Sequence, residues 1–319
     1  MLIEYVCNKL SRVRWRPVSD ALIQPGFETS FICGTVDGGE CNKLMLWSLE
    51  TSSVDESVDI CLRHELPFRG DVTQIIAFDN LAFVTSNVGT GNLYRFSEPS
   101  GKLIEMQKWD NLDAYGCTDA VYAPSLNSVI ICGKEGAIRI VDINSLNNEP
   151  KKSKILSQTS LECIEFLSQN EVIVGNESGH LKVLDLRTND VSMSLGYSLC
   201  IVSCVKKNPS NNHIIASGND VGVVSLWDLR NNASHLLHIS AHSSLISELH
   251  YKENENNTII TSSYDGQLLK WILSPSSQFK KVDSIMGKDG DSPINSFHIN
   301  INNDLIFSTD NEALYFGQL

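Results

Sequence analysis

Asp71 and Asp119 each head an alternating apolar run, "DVTQIIAF" and "DAVYAP", and two carboxylates brought to one cavity could serve as an acid/base pair. Each also sits where a turn leads into a strand, the place where an aspartate oxygen caps backbone N–H groups, and no third partner or cleft is legible around them. None of the eight histidines falls in an H-E-x-x-H pair and no G-x-x-x-x-G-K-[ST] loop is present. The stretch "GKDGDS", Gly287 to Ser292, lacks the later bidentate glutamate of a cation loop and reads as a polar turn. The nine cysteines are scattered without a C-x-x-C spacing, which suits buried thiols in a reducing compartment; no metal and no cofactor is expected. Short basic clusters at Lys151-Lys152-Lys154, Lys206-Lys207 and Lys280-Lys281 read as loop charge, because a net charge of −13 disfavours a phosphate backbone as ligand. The sharper candidates are Arg187 in "LDLR" and Arg230 in "WDLR", one repeat apart. Their planar forks suit a protein interface, but each could equally pair with its own neighbour, Asp185 or Asp228.

The elements that carry these residues repeat. Seven alternating runs follow turn residues: "KLMLWSL", "GNLYRFS", "GAIRIVDI", "HLKVLDLR", "VVSLWDLR", "QLLKWIL" and "ALYFGQL". Their equivalent places are taken by Trp47, Phe96, Val141, Leu184, Trp227, Trp271 and Phe316, at intervals of 49, 45, 43, 43, 44 and 45 residues, and a period of about 40 to 45 is the signature of a four-stranded propeller blade. A second β-branched run precedes each one, for example "TSFICG", "HIIASG" and "TIITSS", and a third precedes that in most units. The outermost strand is the weakest signal, because an edge facing water constrains its side chains least. The seventh unit ends one strand short while "LIEYVC", Leu2 to Cys7, is spare at the start. The expectation is therefore an all-β, seven-bladed propeller spanning 1–319 as one domain, with the N-terminal strand completing the last blade and covering its edge. The first residues lack the order of a secretory signal and no apolar run is long enough to span a membrane, so an intracellular chain is expected.

The glycine turn, tryptophan and aspartate of "SLWDLR" resemble the WD-repeat family, and "AHSSLISELHYKENENNTIITSSYDGQLLKW" is the fullest copy. There His242, Ser262 or Ser263, Asp265 and Trp271 resemble the family's buried hydrogen-bonded chain, which specifies a fold when complete and is costly when half satisfied. At the turn-aspartate place, units three, four and five carry Glu135, Ser178 and Val221, while Asp310 is expected to keep it in the seventh. Within the family, "RWRP", "HIIASG" to "WDLR", "AHSSLISELHY" and "TDNEALYF" are similar, in that order, to the WD-repeat nucleoporins of the pore's Y-shaped outer ring. That resemblance implies a non-catalytic scaffold at the nuclear envelope, and at the kinetochore in mitosis. It also implies contacts with other nucleoporins, in particular the α-solenoid nucleoporin eighty-five of the short arm. The paired arginines resemble instead the D-x-R box of WD-repeat substrate receptors that dock on cullin-type ubiquitin ligases, which implies a different partner for Arg187 and Arg230.

Overall fold

The computed structural model describes residues 1–17, 29–37, 42–51, 58–97, 100–145, 147–196, 199–230, 235–252, 255, 257–273, 279–286 and 292–319. They form seven four-stranded antiparallel sheets, each built from four successive strands except the last. In that blade Leu2–Tyr5 pairs with Ala313–Gln318, Leu2 opposite Phe316 and Tyr5 opposite Ala313, so the start of the chain closes the ring as its sequence suggests. The turn "GKDGDS" lies outside the described residues apart from its last serine.

The innermost strands are Leu10–Trp15, Val72–Phe78, Cys117–Ala123, Leu161–Ser168, Val202–Lys207, Ile246–Tyr251 and Ile294–Ile299. All seven carry a register shift just after their first residue, which turns the next side chains toward the axis. Seven buried apolar clusters lie between neighbouring blades, so the core is a ring of interfaces. Ile32 and Leu46 of blade one, for instance, pack with Val72 and Val84 of blade two. Close approach explains two glycines: a Cβ on Gly34 or Gly175 would drive into Val72 or Val202 of the following blade.

Register corrects two of the sequence-based equivalences. Trp47, Val141, Leu184, Trp227 and Trp271 stand opposite Phe31, Val129, Val172, Ile215 and Ile259, all at one ladder position. At that position blade two places Tyr94, opposite Ala82, and blade seven places Gly317, opposite Leu305, not Phe96 and Phe316. Aromatic identity misled the alignment, because turn length and pairing fix the register. The turn residue of blade seven at the place of Asp265 is therefore Asn311. Asp310 instead accepts from Asn295 Nδ2 at 3.0 Å and pairs with Lys9 at 3.2 Å.

Candidate functional site

The shifted strands line a central channel with polar side chains at two repeated positions. The first holds Arg12, Gln74, Asp119, Cys163, Cys204, Glu248 and Ser296; the second holds Arg14, Ile76, Val121, Glu165, Lys206, His250 and His298. Arg14 reaches across the channel to Glu248 with both forks, at 2.8 and 3.3 Å, and its Nη2 also donates to Gln74 Oε1 at 2.9 Å. Gln74 Nε2 donates to Asp119 Oδ1 at 2.6 Å, and Asp119 also accepts from the Ala120 and Ile164 N–H groups. Glu248 accepts from Ser296 Oγ and the Phe297 N–H, each at 3.0 Å. Burial alone would raise the Glu248 carboxyl, yet the guanidinium of Arg14 and its other partners hold it well below the usual carboxylate range.

A second series of bonds joins blade to blade. The side chains of Ser11, Thr118, Ser203 and Ser247 donate to the carbonyls of Val72, Leu161, Ile246 and Ile294 of the next blade at 2.5 to 2.7 Å. Asn295 Nδ2 closes the circle onto the Leu10 carbonyl at 3.1 Å. These bonds satisfy carbonyls that the register shift frees from the ladder.

Such a channel is built to hold its shape. Asp119 is committed to three hydrogen bonds, and Asp71 accepts from the side-chain amides of Asn42 in blade one and Asn87 in blade two, so the two carboxylates serve separate places and form no acid/base pair. Buried thiols near the channel are suppressed as nucleophiles: desolvation pushes Cys204 up to about 12 and Cys163 well above the usual thiol range.

The polar chain of blade six differs by one residue from the sequence reading. Trp271 Nε1 donates to Thr261 Oγ1 at 3.1 Å, His242 Nε2 meets the same oxygen at 2.7 Å, and His242 Nδ1 lies 3.0 Å from Asp265 Oδ2. Ser262 faces blade seven, where its hydroxyl meets Ser247 Oγ at 2.7 Å, and Ser263 Oγ donates to the Ser244 carbonyl. Strand alternation decides this: Thr261 points to the face that carries Trp271, and Ser262 to the other. Blade three uses the same region differently, burying Asp113 against Arg139 Nη1 at 3.3 Å, with Glu135 as the second carboxylate on that arginine.

Similarity to known proteins spans most of the chain. It is 25% identical to nucleoporin Nup43 of Mus musculus over 290 residues, which cover 85% of this chain and 75% of that protein, and 25% identical to Nup43 of Homo sapiens over 289 residues with the same coverage. The chain resembles the WD-repeat nucleoporin Nup43. A further likeness, 23% over 148 residues, to the nuclear pore complex protein nup43 of Dictyostelium discoideum covers 46% of this chain and 35% of that protein. No family model matches the sequence.

On this Nup43-like propeller the two arginines lie where the third strands of blades four and five end. Arg230 forks onto Asp228, with Nη2 2.6 Å and Nε 2.9 Å from the carboxylate, and holds that carboxyl down at about 2. Arg187 lies 3.6 Å from Asp185. Both guanidinium groups remain mostly exposed, and each is paired within its own blade. Lys206 and Lys207 close the innermost strand of blade five and so line the channel mouth and belong to no loop. On the opposite face, where the innermost strands begin, Val88, Tyr115, Leu199, Val221 and Tyr264 are exposed at turns and connecting loops.

Proposed function

We propose that this chain is a non-catalytic scaffold subunit of the nuclear pore's outer ring that binds other nucleoporins, with the short-arm α-solenoid nucleoporin eighty-five as its direct partner. The observation that carries the reading is the likeness to Nup43 over 85% of the chain. The channel is consistent with it, since a lattice of committed hydrogen bonds preorganises a rigid ring and leaves its turns as the variable surface. A stable scaffold contact of this kind buries about 1,200 to 2,000 Å² in total.

The test is capture of a tagged full chain from nuclear extract, followed by mass spectrometry and by reconstitution with purified nucleoporin eighty-five. Recovery of outer-ring nucleoporins together with direct binding is the expected result. Recovery of the ring without direct binding removes the named partner, and a cullin adaptor as chief partner overturns the reading. The double variant Arg187→Glu/Arg230→Glu separates the arginine-box alternative: the scaffold reading expects pore association to survive it, because both arginines are occupied by their own aspartates.

A further inference from the structure

We propose that the channel mouth on the face where the innermost strands end is a binding site for a small oxyanion, a phosphate or carboxylate group. The channel's charges are sorted along its axis. The stretch nearer the strand starts is lined by three carboxylates, Asp119, Glu162 and Glu248, as well as by Arg12, Arg14, Lys206 and His250. The mouth is a cavity of about 320 Å³ lined by Arg14, Lys206 and Lys207, with His250 and His298, and by no carboxylate among the described residues; Glu165, just outside the lining, pairs with Lys206. A cavity whose described lining carries cations and no carboxylate is conspicuous in a chain of net charge −13.

Free hydrogen-bonding capacity converges there. Both Nη groups of Arg14 are occupied, by the Val13 carbonyl, Glu248, Ser296 and Gln74, so it contributes chiefly field. Lys206 uses one proton on Glu165 at 2.9 Å. Lys207 donates to the Leu167 carbonyl at 2.7 Å and pairs with no carboxylate among the described residues, so its charge is uncompensated. His298 accepts the Trp15 N–H at Nδ1, 3.1 Å away, which places the proton of the neutral ring on Nε2, a donor without a hydrogen-bond partner among the described residues. Burial and the neighbouring Arg14 keep that ring neutral by pushing its pKa well down. Ala77, Val121 and Pro209 supply an apolar wall. The volume is about ten times the share of one liquid water and lies at the lower end of small-ligand pockets, which fits an anionic group and a short stem.

Isothermal titration of the purified full chain at low salt tests the site with two probes, sodium pyrophosphate and a capped triglutamate peptide. The expected result is saturable binding of at least one probe that weakens with added salt and falls by about ten-fold or more in Lys207→Glu, while Lys102→Glu on an outer strand leaves it unchanged. Pyrophosphate alone identifies a free anion as the occupant; binding of triglutamate as well identifies an acidic group borne on a polypeptide. Lys207→Met, which keeps the alkyl stem, is read in place of Lys207→Glu if the latter melts early. Absence of binding by either probe below about 10 mM, equal weakening by Lys102→Glu, or unaltered affinity in Lys207→Met overturns the proposal.

Discussion

Blades five and six are neighbours with tryptophan at the same ladder position, and they finish the environment of that indole in different ways. In blade six Trp271 is buried, its N–H ends on Thr261, and the chain continues through His242 to Asp265, whose carboxylate also accepts the N–H groups of Ser243 and Gln267. The aspartate therefore ties a connecting loop and a turn over the ring. In blade five Trp227 donates to Ser217 Oγ at 2.9 Å, the hydroxyl equivalent to Thr261, and the carboxylate position is an exposed Val221. Trp227 is only half-buried, and beside it opens a cavity of about 280 Å³ lined by Ser217, Gly218, Val221 and His235. The contrast teaches that a hydroxyl suffices to satisfy an indole, whereas sealing the blade's end takes a carboxylate.

The comparison is broken most severely at Asp265. Asp265→Ala takes the carboxylate from His242 and from the Ser243 and Gln267 N–H groups and should cost about 3 kcal/mol, measured as a lowered urea midpoint; a loss below about 1 kcal/mol would show that the loop is held by packing alone. Removing the indole's acceptor comes next. Thr261→Val should cost about 2 kcal/mol because it removes the hydroxyl that both Trp271 and His242 meet, while Ser217→Ala should cost about 1 kcal/mol, and equal losses in paired denaturation curves would erase the distinction between the blades.

The same two blades differ at both channel positions, and at the second blade six carries His250 where blade five carries Lys206. Burial depresses His250 below its usual 6.5, against the pull of Glu248. Burial also opposes the charge on Lys206, but Glu165 and Asp119 outweigh it and keep that pKa raised. In the unfolded chain His250 takes up a proton near pH 6.5 that the folded state refuses, so its contribution is present above that value and is lost as the pH falls below it. Urea midpoints should therefore fall between pH 7 and pH 5, and His250→Gln should reduce that fall while Lys206→Met leaves its pH dependence in place. The smallest effect is expected from Val221→Asp, which restores the carboxylate to blade five at an exposed turn; the melting point should shift by no more than about 0.5 kcal/mol in stability terms, since surface charge without a buried partner contributes little.

Period and alternation made the seven blades and their closure legible, because repeated glycine turns and β-branched runs are local properties. Arg187 and Arg230 were legible too, together with the aspartates that occupy them. Phe96 and Phe316 were misassigned and Thr261 was passed over for Ser262, since a one- or two-residue slip leaves composition unchanged and only the ladder reveals which face a side chain takes. The innermost strands of blades one and five, Leu10–Trp15 and Val202–Lys207, are the hardest to read because Arg12 and Arg14 in the one and Lys206 and Lys207 in the other break the apolar pattern. By itself the sequence determined a closed ring of repeats. The tertiary structure alone decided that Arg14 and Glu248, 234 residues apart, meet across the axis, because seven strands separated by whole repeats become neighbours only when the ring closes.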